Sequence, residues 1–441
     1  MHRKPAVIFI FVTLLLDVLG FGLLIPVGPH LVMALQAKVA GAPTGDAAEA
    51  AAATVVGWLG ATYAAMQFLF APVLGSLSDR FGRRPVLLIS LFGSGLDYFA
   101  MALAPSVPWL FVTRVINGIS GASMTTASAY IADVTPPEKR AGAFGMIGAA
   151  FGLGFILGPL IGGFLGRWNI HYPFYAAGAI TLINWLYGYF VLPESLDPAH
   201  RSQTFDKKRA NPVGALHGLT KYPFVFNMAG CLFLVNLAQY MLHATWVLYT
   251  GHRYGWDERI VGLSLFTVGV CSAVVMAVVS RRLVPLLGER RSLIIGLCLA
   301  VCAYLGYAMA TRGWMIFATI IGTCLSGISM PASQSLITHT VSPKEQGRVQ
   351  GALSSLQSLA NIAGPLVGGY LFAFSIGKGA DLHVPGLVFF GSAGLTLIGT
   401  LIAVRAIRKL PALIGVSSQG AGAGDGSLPK PVVGPSGEAA S

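Results

Sequence analysis

GPLIGGFL at residues 158–165 recurs as GPLVGGYL at residues 364–371, which lie 206 positions later. The same shift aligns SGASM at 120–124 with SGISM at 326–330, and no gap separates the two matches. A repeat of this length indicates two copies of one structural unit that follow each other along the chain in the same orientation. The fold of the whole chain therefore follows from the structure of one repeated unit.

The sequence between these matches is mostly apolar. The chain of 441 residues is 54% hydrophobic and only 10% charged, whereas soluble domains are about a quarter charged. Because this number of charges is too small to cover a surface that faces water, most of the surface must face lipid. A membrane β-barrel would need short strands of alternating polarity, and the apolar runs here are too long and too uniform for that.

A helix crosses the hydrocarbon core with about 20 apolar residues, and we predict twelve such segments, six in each copy. The segments lie at about 6–27, 53–76, 85–104, 107–131, 142–165, 171–191, 223–250, 259–280, 290–310, 313–337, 348–373 and 385–404. The sequence thus predicts an all-α membrane protein with two six-helix halves. The predicted organisation is a first half at 1–191, a polar basic linker at 192–222, a second half at 223–410 and a disordered tail at 411–441.

The positive charges predict the orientation of these segments. Of the 29 Lys and Arg residues, 22 fall on the side of the two termini, six on the other side, and Arg114 lies inside a segment. Because cytoplasmic loops carry the excess of Lys and Arg, both termini are predicted to be cytoplasmic. This sorting also accounts for the net charge of +12, so nucleic acid is not needed as a partner.

Three charged residues lie deep in the predicted segments: Asp17, Asp97 and Arg114. Segments 3 and 4 form a hairpin in which Asp97 and Arg114 both sit ~12–13 Å below its tip, at ~1.5 Å per residue. Asp17 lies at a matching depth in segment 1. Charge inside a membrane is costly and points to function, although a structural ion pair that only fixes helix packing is the alternative.

Two acids and one cation in a single layer suggest proton exchange. Arg cannot release its proton at any useful pH, so one carboxylate is expected to stay paired and the other to titrate or to bind a cationic group. Which of Asp17 and Asp97 titrates stays open. The second half has no such charge, but Asn236, Gln239 and His243 could contact a polar ligand or form hydrogen bonds between helices.

The loop GSLSDRFGRRP at 75–85 joins segments 2 and 3. We expect Gly75 to allow a close helix approach and Gly82 a tight turn. Asp79 can cap the next helix or pair with an arginine. Three arginines can set the orientation and clamp an acidic partner: Arg80, Arg83 and Arg84.

GLGFILGPLIGG at 152–163 places three glycines four residues apart on one face of segment 5: Gly154, Gly158 and Gly162. Such a stripe lets another helix approach closely, and Pro159 can kink the helix. Ordinary packing of small residues would suffice to explain the stripe. Gly163 is the last residue of this glycine-rich stretch.

Seven stretches, in this order, resemble the tetracycline/proton antiporters of the major facilitator superfamily. They are LDVLGFGLLIPVGP, AAMQFLFAPVLGSLSDRFGRRPVLL, GSGLDYF, RVINGISGA, YIADVT, FGLGFILGPLIGG and RYGWDERIVGLSL. The resemblance extends to about residue 405. It implies two six-helix halves with the substrate site between them near the midplane, and exchange of a metal–tetracycline cation for a proton.

The resemblance also implies roles for single residues. Asp17 and Asp97 fall on essential membrane acids, and Arg114 falls on an arginine tied to proton transfer. Gln67 lies beside the substrate path, and we place Asn117 with it. Asp79 and the three loop arginines match a cytoplasmic latch that stabilises the outward-open state, and the stripe of segment 5 matches an antiporter motif that favours export over uptake.

The sequence departs from the family at three positions. Ser272, Met276 and Ala300 stand where some members carry a His, a Gln and an Asp. Export of another amphipathic compound fits what remains. Uptake of a small metabolite and a transport-inactive receptor are further alternatives.

No nucleophile–base pair, metal-ligand set or cofactor motif is evident, so an enzyme is not expected. The energy source would be a proton gradient. The predicted protein is a monomer that crosses the inner (plasma) membrane several times and binds protons and a small molecule.

Overall fold

The computed structural model describes residues 7–121, 123–197, 201, 222–342, 345–377, 384 and 386–420. In this part of the chain, all regular structure is helical. The α-helices are α1 (Val7–Leu24), α2 (Gly28–Gln36), α3 (Asp46–Phe81), α4 (Arg83–Ala102), α5 (Val107–Ser120), α6 (Ser123–Val134), α7 (Arg140–Trp168), α8 (Tyr172–Val191), α9 (Pro223–Tyr254), α10 (Glu258–Val274), α11 (Ser280–Leu287), α12 (Glu289–Met309), α13 (Gly313–Ser326), α14 (Ser329–Thr340), α15 (Gln346–Ile376) and α16 (Leu387–Gly420). A π-helical stretch, Val275–Val279, joins α10 to α11.

Ten spans of the described chain are long and apolar enough to cross a membrane when α10 with α11, and α13 with α14, each count as one, and the bent pair α1–α2 makes eleven if it also counts as one span. The predicted segment 107–131 is divided into α5, which ends at Ser120, and α6, which begins at Ser123, and both are shorter than a full span. The number twelve therefore stays a prediction, as do the cytoplasmic termini. An all-helical membrane protein is confirmed.

Glycine and proline set the breaks between helices. Gly82 joins α3 to α4 with φ +104°, and Gly288 joins α11 to α12 with φ +76°. Residues with side chains rarely adopt these angles, and the two glycines are 206 positions apart, as the repeat requires. Between α1 and α2 the chain bends by 42°, since Pro26 and Pro29 interrupt the helical hydrogen bonds.

Some boundaries differ from the predicted ones. α3 starts at Asp46, seven residues before the predicted segment, because alanines that are weakly apolar still form helix well. α16 continues to Gly420 and so includes the first ten residues of the tail that was predicted to be disordered, and residues 421–441 lie outside the described residues. In the linker, residues 192–197 are not helical. Most of the other linker residues lie outside the described residues.

The two halves touch at one side of the molecule and separate at the other. The main contacts between halves join α3 to α15 and α7 to α10. A Cβ added at Gly57 would lie 2.6 Å from the Pro365 carbonyl oxygen, and one at Gly262 would lie 2.5 Å from that of Pro159. We call this closed side the His252 side, after a residue at the end of α9.

At the opposite side, which we call the Gly82 side, the halves separate. A Cβ would meet no described atom within 4 Å at a series of glycines in α3, α7 and α15: Gly75, Gly142, Gly145, Gly148, Gly152, Gly347 and Gly351. Gly75 was predicted to sit at a close helix approach, and this is wrong for the conformation described, because α3 borders the opening there.

Candidate functional site

The charged layer of the first half is built on the α4–α5 hairpin. Asp97 is buried, with 5% of its surface exposed, and its Oδ2 accepts a hydrogen bond from Arg114 Nη2 at 3.1 Å. Asn117, one turn further along α5, donates its amide to the same Oδ2 at 2.5 Å. The hairpin geometry inferred from the sequence thus brings Asp97 and Arg114 together, and charge-assisted bonds of this kind are short and strong.

The second oxygen of Asp97 is in a different situation. Asp97 Oδ1 is buried and has no hydrogen-bond partner among the described residues. A buried oxygen of this kind costs free energy unless it gains a proton or a donor. Arg114 meanwhile packs over the Tyr63 ring at 5.6 Å and also contacts the Met101 sulphur. Asp97 therefore has one oxygen, Oδ2, that is hydrogen-bonded to Arg114 and Asn117, and a second, Oδ1, that can receive a proton or a ligand.

Asp17 joins this layer from α1. Its carboxylate lies close enough to the hydroxyls of Tyr63 and Tyr98 to interact with them electrostatically. Asp97 and Arg114 interact with the same two hydroxyls. The three predicted charges thus share one layer. Tyr63 and Tyr98 lie within it and were missed by sequence reasoning, because a tyrosine in an apolar helix gives no signal of its own.

The glycine stripe of α7 positions α1. A Cβ at Gly154 would lie 2.7 Å from a Val18 side-chain carbon, and one at Gly158 would lie 2.7 Å from the Gly22 Cα. A Cβ at Gly162 would overlap the Leu23 carbonyl oxygen. The stripe therefore lies against the helix that carries Asp17. Pro159 sits inside an uninterrupted α7.

Gly163 serves a different contact. A Cβ there would overlap the Glu258 carbonyl oxygen of α10, which belongs to the second half. The predicted antiporter pattern thus packs against α1 on one face and against the other half at the closed side.

Gln67 ties α3 to the break between α5 and α6. Its Nε2 donates to the Tyr63 hydroxyl at 3.3 Å and to the Gly121 carbonyl oxygen at 3.2 Å. A Cβ at Gly118 would lie 2.5 Å from the Met66 Cβ, so α5 and α3 are closely packed here. Gln67 lies one helical turn from Tyr63 and so at the edge of the charged layer.

The second half contributes a neutral polar cluster. Gln239 Nε2 and His243 Nε2 are 2.8 Å apart, and Tyr304 donates its hydroxyl to Gln239 Oε1 at 3.1 Å. Gln357 Nε2 reaches the Tyr240 hydroxyl at 3.5 Å. The third predicted residue, Asn236, instead donates to the Leu232 carbonyl of its own helix at 2.7 Å.

The three positions that depart from the family pattern are apolar or engaged in packing. Ser272 donates to the Cys324 sulphur at 3.5 Å and so joins α10 to α13. Ala300 packs against the buried cluster of the second half. Met276 lies in the π-helical stretch and is 48% exposed.

The charged side chains of the loop at 75–85 contact residues of the first half. Arg83 pairs with Asp79 and, through Nε, with Asp133 Oδ2 at 3.1 Å. Arg84 Nη2 donates to the Tyr189 carbonyl oxygen at 2.5 Å. Arg80 lies over the ring of Phe81. The contacts described for these side chains stay within the first half, whereas a latch between halves would need a partner across the opening.

Glu194 caps the helix that follows this loop. Its carboxylate accepts the backbone N–H of Arg83 at 2.8 Å and that of Arg84 at 3.3 Å. A Cβ at Gly82 would overlap this carboxylate, so the glycine is required for the approach as well as for the turn. Sequence reasoning offered Asp79 either as a cap or as the partner of an arginine, and the structure shows the pair with Arg83. It missed Glu194, whose only signal was an acid shortly after segment 6.

Among the described residues, no group of three or more His, Cys, Asp or Glu side chains could hold a metal ion. The charged layer and the neutral cluster supply carboxylates and hydrogen-bonding groups.

The chain is similar to known proteins in sequence and in structure. The sequence matches the Major Facilitator Superfamily over residues 10–325 and 228–434. It is 38% identical to the tetracycline resistance protein, class C, of Escherichia coli, over 85% of this chain and 91% of that protein. The class D protein of Salmonella ordonez is 37% identical, with 93% and 98% covered.

Among solved structures, the human organic anion transporter MFSD10 (TETRAN) has a TM-score of 0.66 and 26% identity, and the alignment covers 90% of this chain and 98% of that one.

Proposed function

Since the chain belongs to the Major Facilitator Superfamily and, within it, to the family of the tetracycline resistance proteins, we propose that it exports tetracycline or a similar amphipathic drug-like compound in exchange for protons. A member of this superfamily is a multi-pass membrane transporter and not an enzyme. The exchange mechanism, the substrate and the plasma membrane as location are parts of the proposal.

The observation that carries the proposal is the asymmetry of Asp97. One oxygen is held by Arg114 and Asn117, and the other is buried without a partner among the described residues. A fixed carboxylate with one free oxygen is suited to take up and release a proton. Asp17 supplies a second acid for a cationic ligand in the same layer. A metal–tetracycline cation, as substrate, carries the charge that such a layer would attract.

The proposed cycle follows from the two sides of the molecule. With the Gly82 side at the cytoplasm, as the positive charges predict, the described conformation is open to the cytoplasm. Ligand entering there would displace a proton from the charged layer. Rocking of the halves would expose the layer to the outside, where a proton would weaken the hold on the cation. Reciprocity requires the ligand to lower proton affinity by the same factor.

Transport into everted membrane vesicles tests this function. An inside-acid pH gradient should drive tetracycline into vesicles that contain the wild-type protein, and Asp97→Asn should abolish this accumulation. Glu138→Gln, which removes an exposed acid outside the site, is the matched control and should transport normally. Uphill export by Asp97→Asn would refute the role of Asp97.

The substrate is tested separately. If a folded, inserted wild-type protein moves no tetracycline, the substrate assignment fails. Other amphipathic cations would then be compared in the same vesicles.

A further inference from the structure

Two histidines face acids of the opposite half, and both pairs lie on the closed His252 side. His252, in the last turn of α9, places Nδ1 2.7 Å from Glu49 Oε2 and 3.9 Å from Asp46 Oδ1. Both acids lie in the first turn of α3. The side chains of His252 and Glu49 are 21% and 27% exposed, so water screens this pair only in part.

The second pair runs in the opposite direction. His30 lies in α2, at the end of the bent first span. Its Nδ1 is 3.2 Å from the Pro26 carbonyl oxygen and 3.6 Å from Glu258 Oε1 in the first turn of α10. His30 belongs to the first half and Glu258 to the second, whereas His252 belongs to the second and Glu49 to the first. Each half thus presents a histidine from the end of its first span to an acid at the start of the other half's second span.

Both pairs sit where the halves are packed most closely. A Cβ at Gly369 would lie 2.6 Å from the Ala53 carbonyl oxygen, one turn from Glu49. The same addition at Gly166 would lie 3.5 Å from the Glu258 side chain. Opening the His252 side would separate α3 from α15 and α7 from α10, so it would also break both pairs.

The remaining charged and titratable groups of this layer are few. α3 contributes Asp46 and Glu49, and α9 ends with Arg253. The other described residues of this kind at this end are Lys38, Arg167, His171, Tyr172, Tyr254, Asp257, Arg259 and Arg312. Asp257 is engaged in capping α10 through the Ile260 N–H at 2.9 Å, and Arg259 lies over the Phe164 ring. The described ends of α5, α15 and α16 that pack here add no charged side chain.

We propose that His30 and His252 form a proton-sensing latch on the outer face, separate from the Asp97 layer. The ligand of this latch is the proton of the outer solution. Protonated histidines attract Glu258 and Glu49 and hold the outer side closed. Neutral histidines lose that attraction and let the outer side open. The His252 side is the outer side in the orientation predicted from the positive charges.

The direction of the effect follows from linkage. Ion pairs of protonated histidine exist only while the outer side is closed, so the closed state has the higher proton affinity. Acid outside must therefore favour the closed state. Histidine is the side chain that ordinarily changes charge between pH 5 and 8. Acid outside would thus promote closure just when the transporter is to carry a proton inward.

A distance measurement in lipid nanodiscs tests the latch. Spin labels would be placed at Val39→Cys, which is 64% exposed, and at Thr311→Cys, in full-length protein without its five native cysteines. Asp17→Asn and Asp97→Asn would be present throughout, so that the membrane acids cannot respond to pH. Pulsed electron–electron resonance would then give the populations of closed and open outer side at pH 5.5 and pH 8.0.

We expect the ratio of closed to open populations to rise about tenfold from pH 8.0 to pH 5.5, since a partly exposed ion pair changes an equilibrium by about threefold and there are two. In His30→Gln/His252→Gln the change should vanish. In His30→Lys/His252→Lys, whose charge is permanent, the outer side should stay closed at both pH values. His171→Gln, at the start of α8 on the same side, should behave like the parent.

Three results would overturn the latch. They are an absence of any pH response in the parent, an unchanged response in the glutamine variant, and a lysine variant that opens at pH 8.0 as the parent does. None of these results would bear on Asp97, because transport is measured separately.

Discussion

The Asp97 carboxylate has two unequal oxygens, and this inequality is the main residue-scale feature of the site. Its pairing with Arg114 follows from counting residues on either side of the hairpin tip. Asn117 lies three residues after Arg114, so it shares a helix face with the arginine. Glu194 is different, because its contact with Arg83 spans 111 positions and no local pattern announces it.

A neutralised pair separates a transport role from a structural one. Arg114→Gln should lower proton-driven transport at least about tenfold, because removing one partner leaves a buried charge unpaired at a cost of about 3–5 kcal/mol. The double variant Asp97→Asn/Arg114→Gln restores neutrality and should recover thermal stability without recovering transport. Transport and the unfolding midpoint would be measured on the same preparations.

Recovery of transport in that double variant would mean that the pair only fixes helix packing. Arg114→Lys completes the series, since it keeps the charge and loses the planar fork of donors. It should retain part of the activity.

At the scale of elements, the glycine stripe of α7 shows what spacing can predict. Three glycines at intervals of four predict a close approach on one face, but the spacing cannot name the partner. The structure places α1 there, with Gly22 opposite Gly158. The contact therefore links the stripe to the helix that carries Asp17.

A single methyl group tests this contact. Gly158→Ala would place its Cβ 2.7 Å from the Gly22 Cα, so α1 and α7 must move apart. Overpacking of this kind costs about 1–3 kcal/mol, and we expect a lower unfolding midpoint in detergent together with reduced transport. Gly394→Ala adds the same methyl to α16, where no described atom lies within 4 Å.

That control variant should unfold at the wild-type temperature or slightly above it, since alanine favours a helix over glycine. Equal midpoints for the two alanine variants would show that α1 and α7 are not held together by the stripe.

For the whole molecule, the decisive feature is that one side is packed and the other is open. Cysteine labelling measures this directly in protein without native cysteines. Gly351→Cys borders the opening, and Ala53→Cys, at a position with 1% exposure, lies in the closed side. We expect a polar maleimide to react at least about tenfold faster with Gly351→Cys, because a buried thiol reacts only after local opening.

Similar rates at the two positions would mean that the described conformation is a minor one in the membrane.

The sequence by itself determined the membrane environment, the glycine turn at Gly82 and the Asp97–Arg114 layer, and it predicted the two repeated halves. These features follow from apolar length, from periodicity and from residues close in sequence, where local geometry is sufficient. Tertiary structure alone decided that α1 packs on the stripe, that Glu194 caps α4, and that His30 and His252 face acids of the opposite half. Those contacts join residues more than a hundred positions apart, and only the packing of one helix against another brings them together.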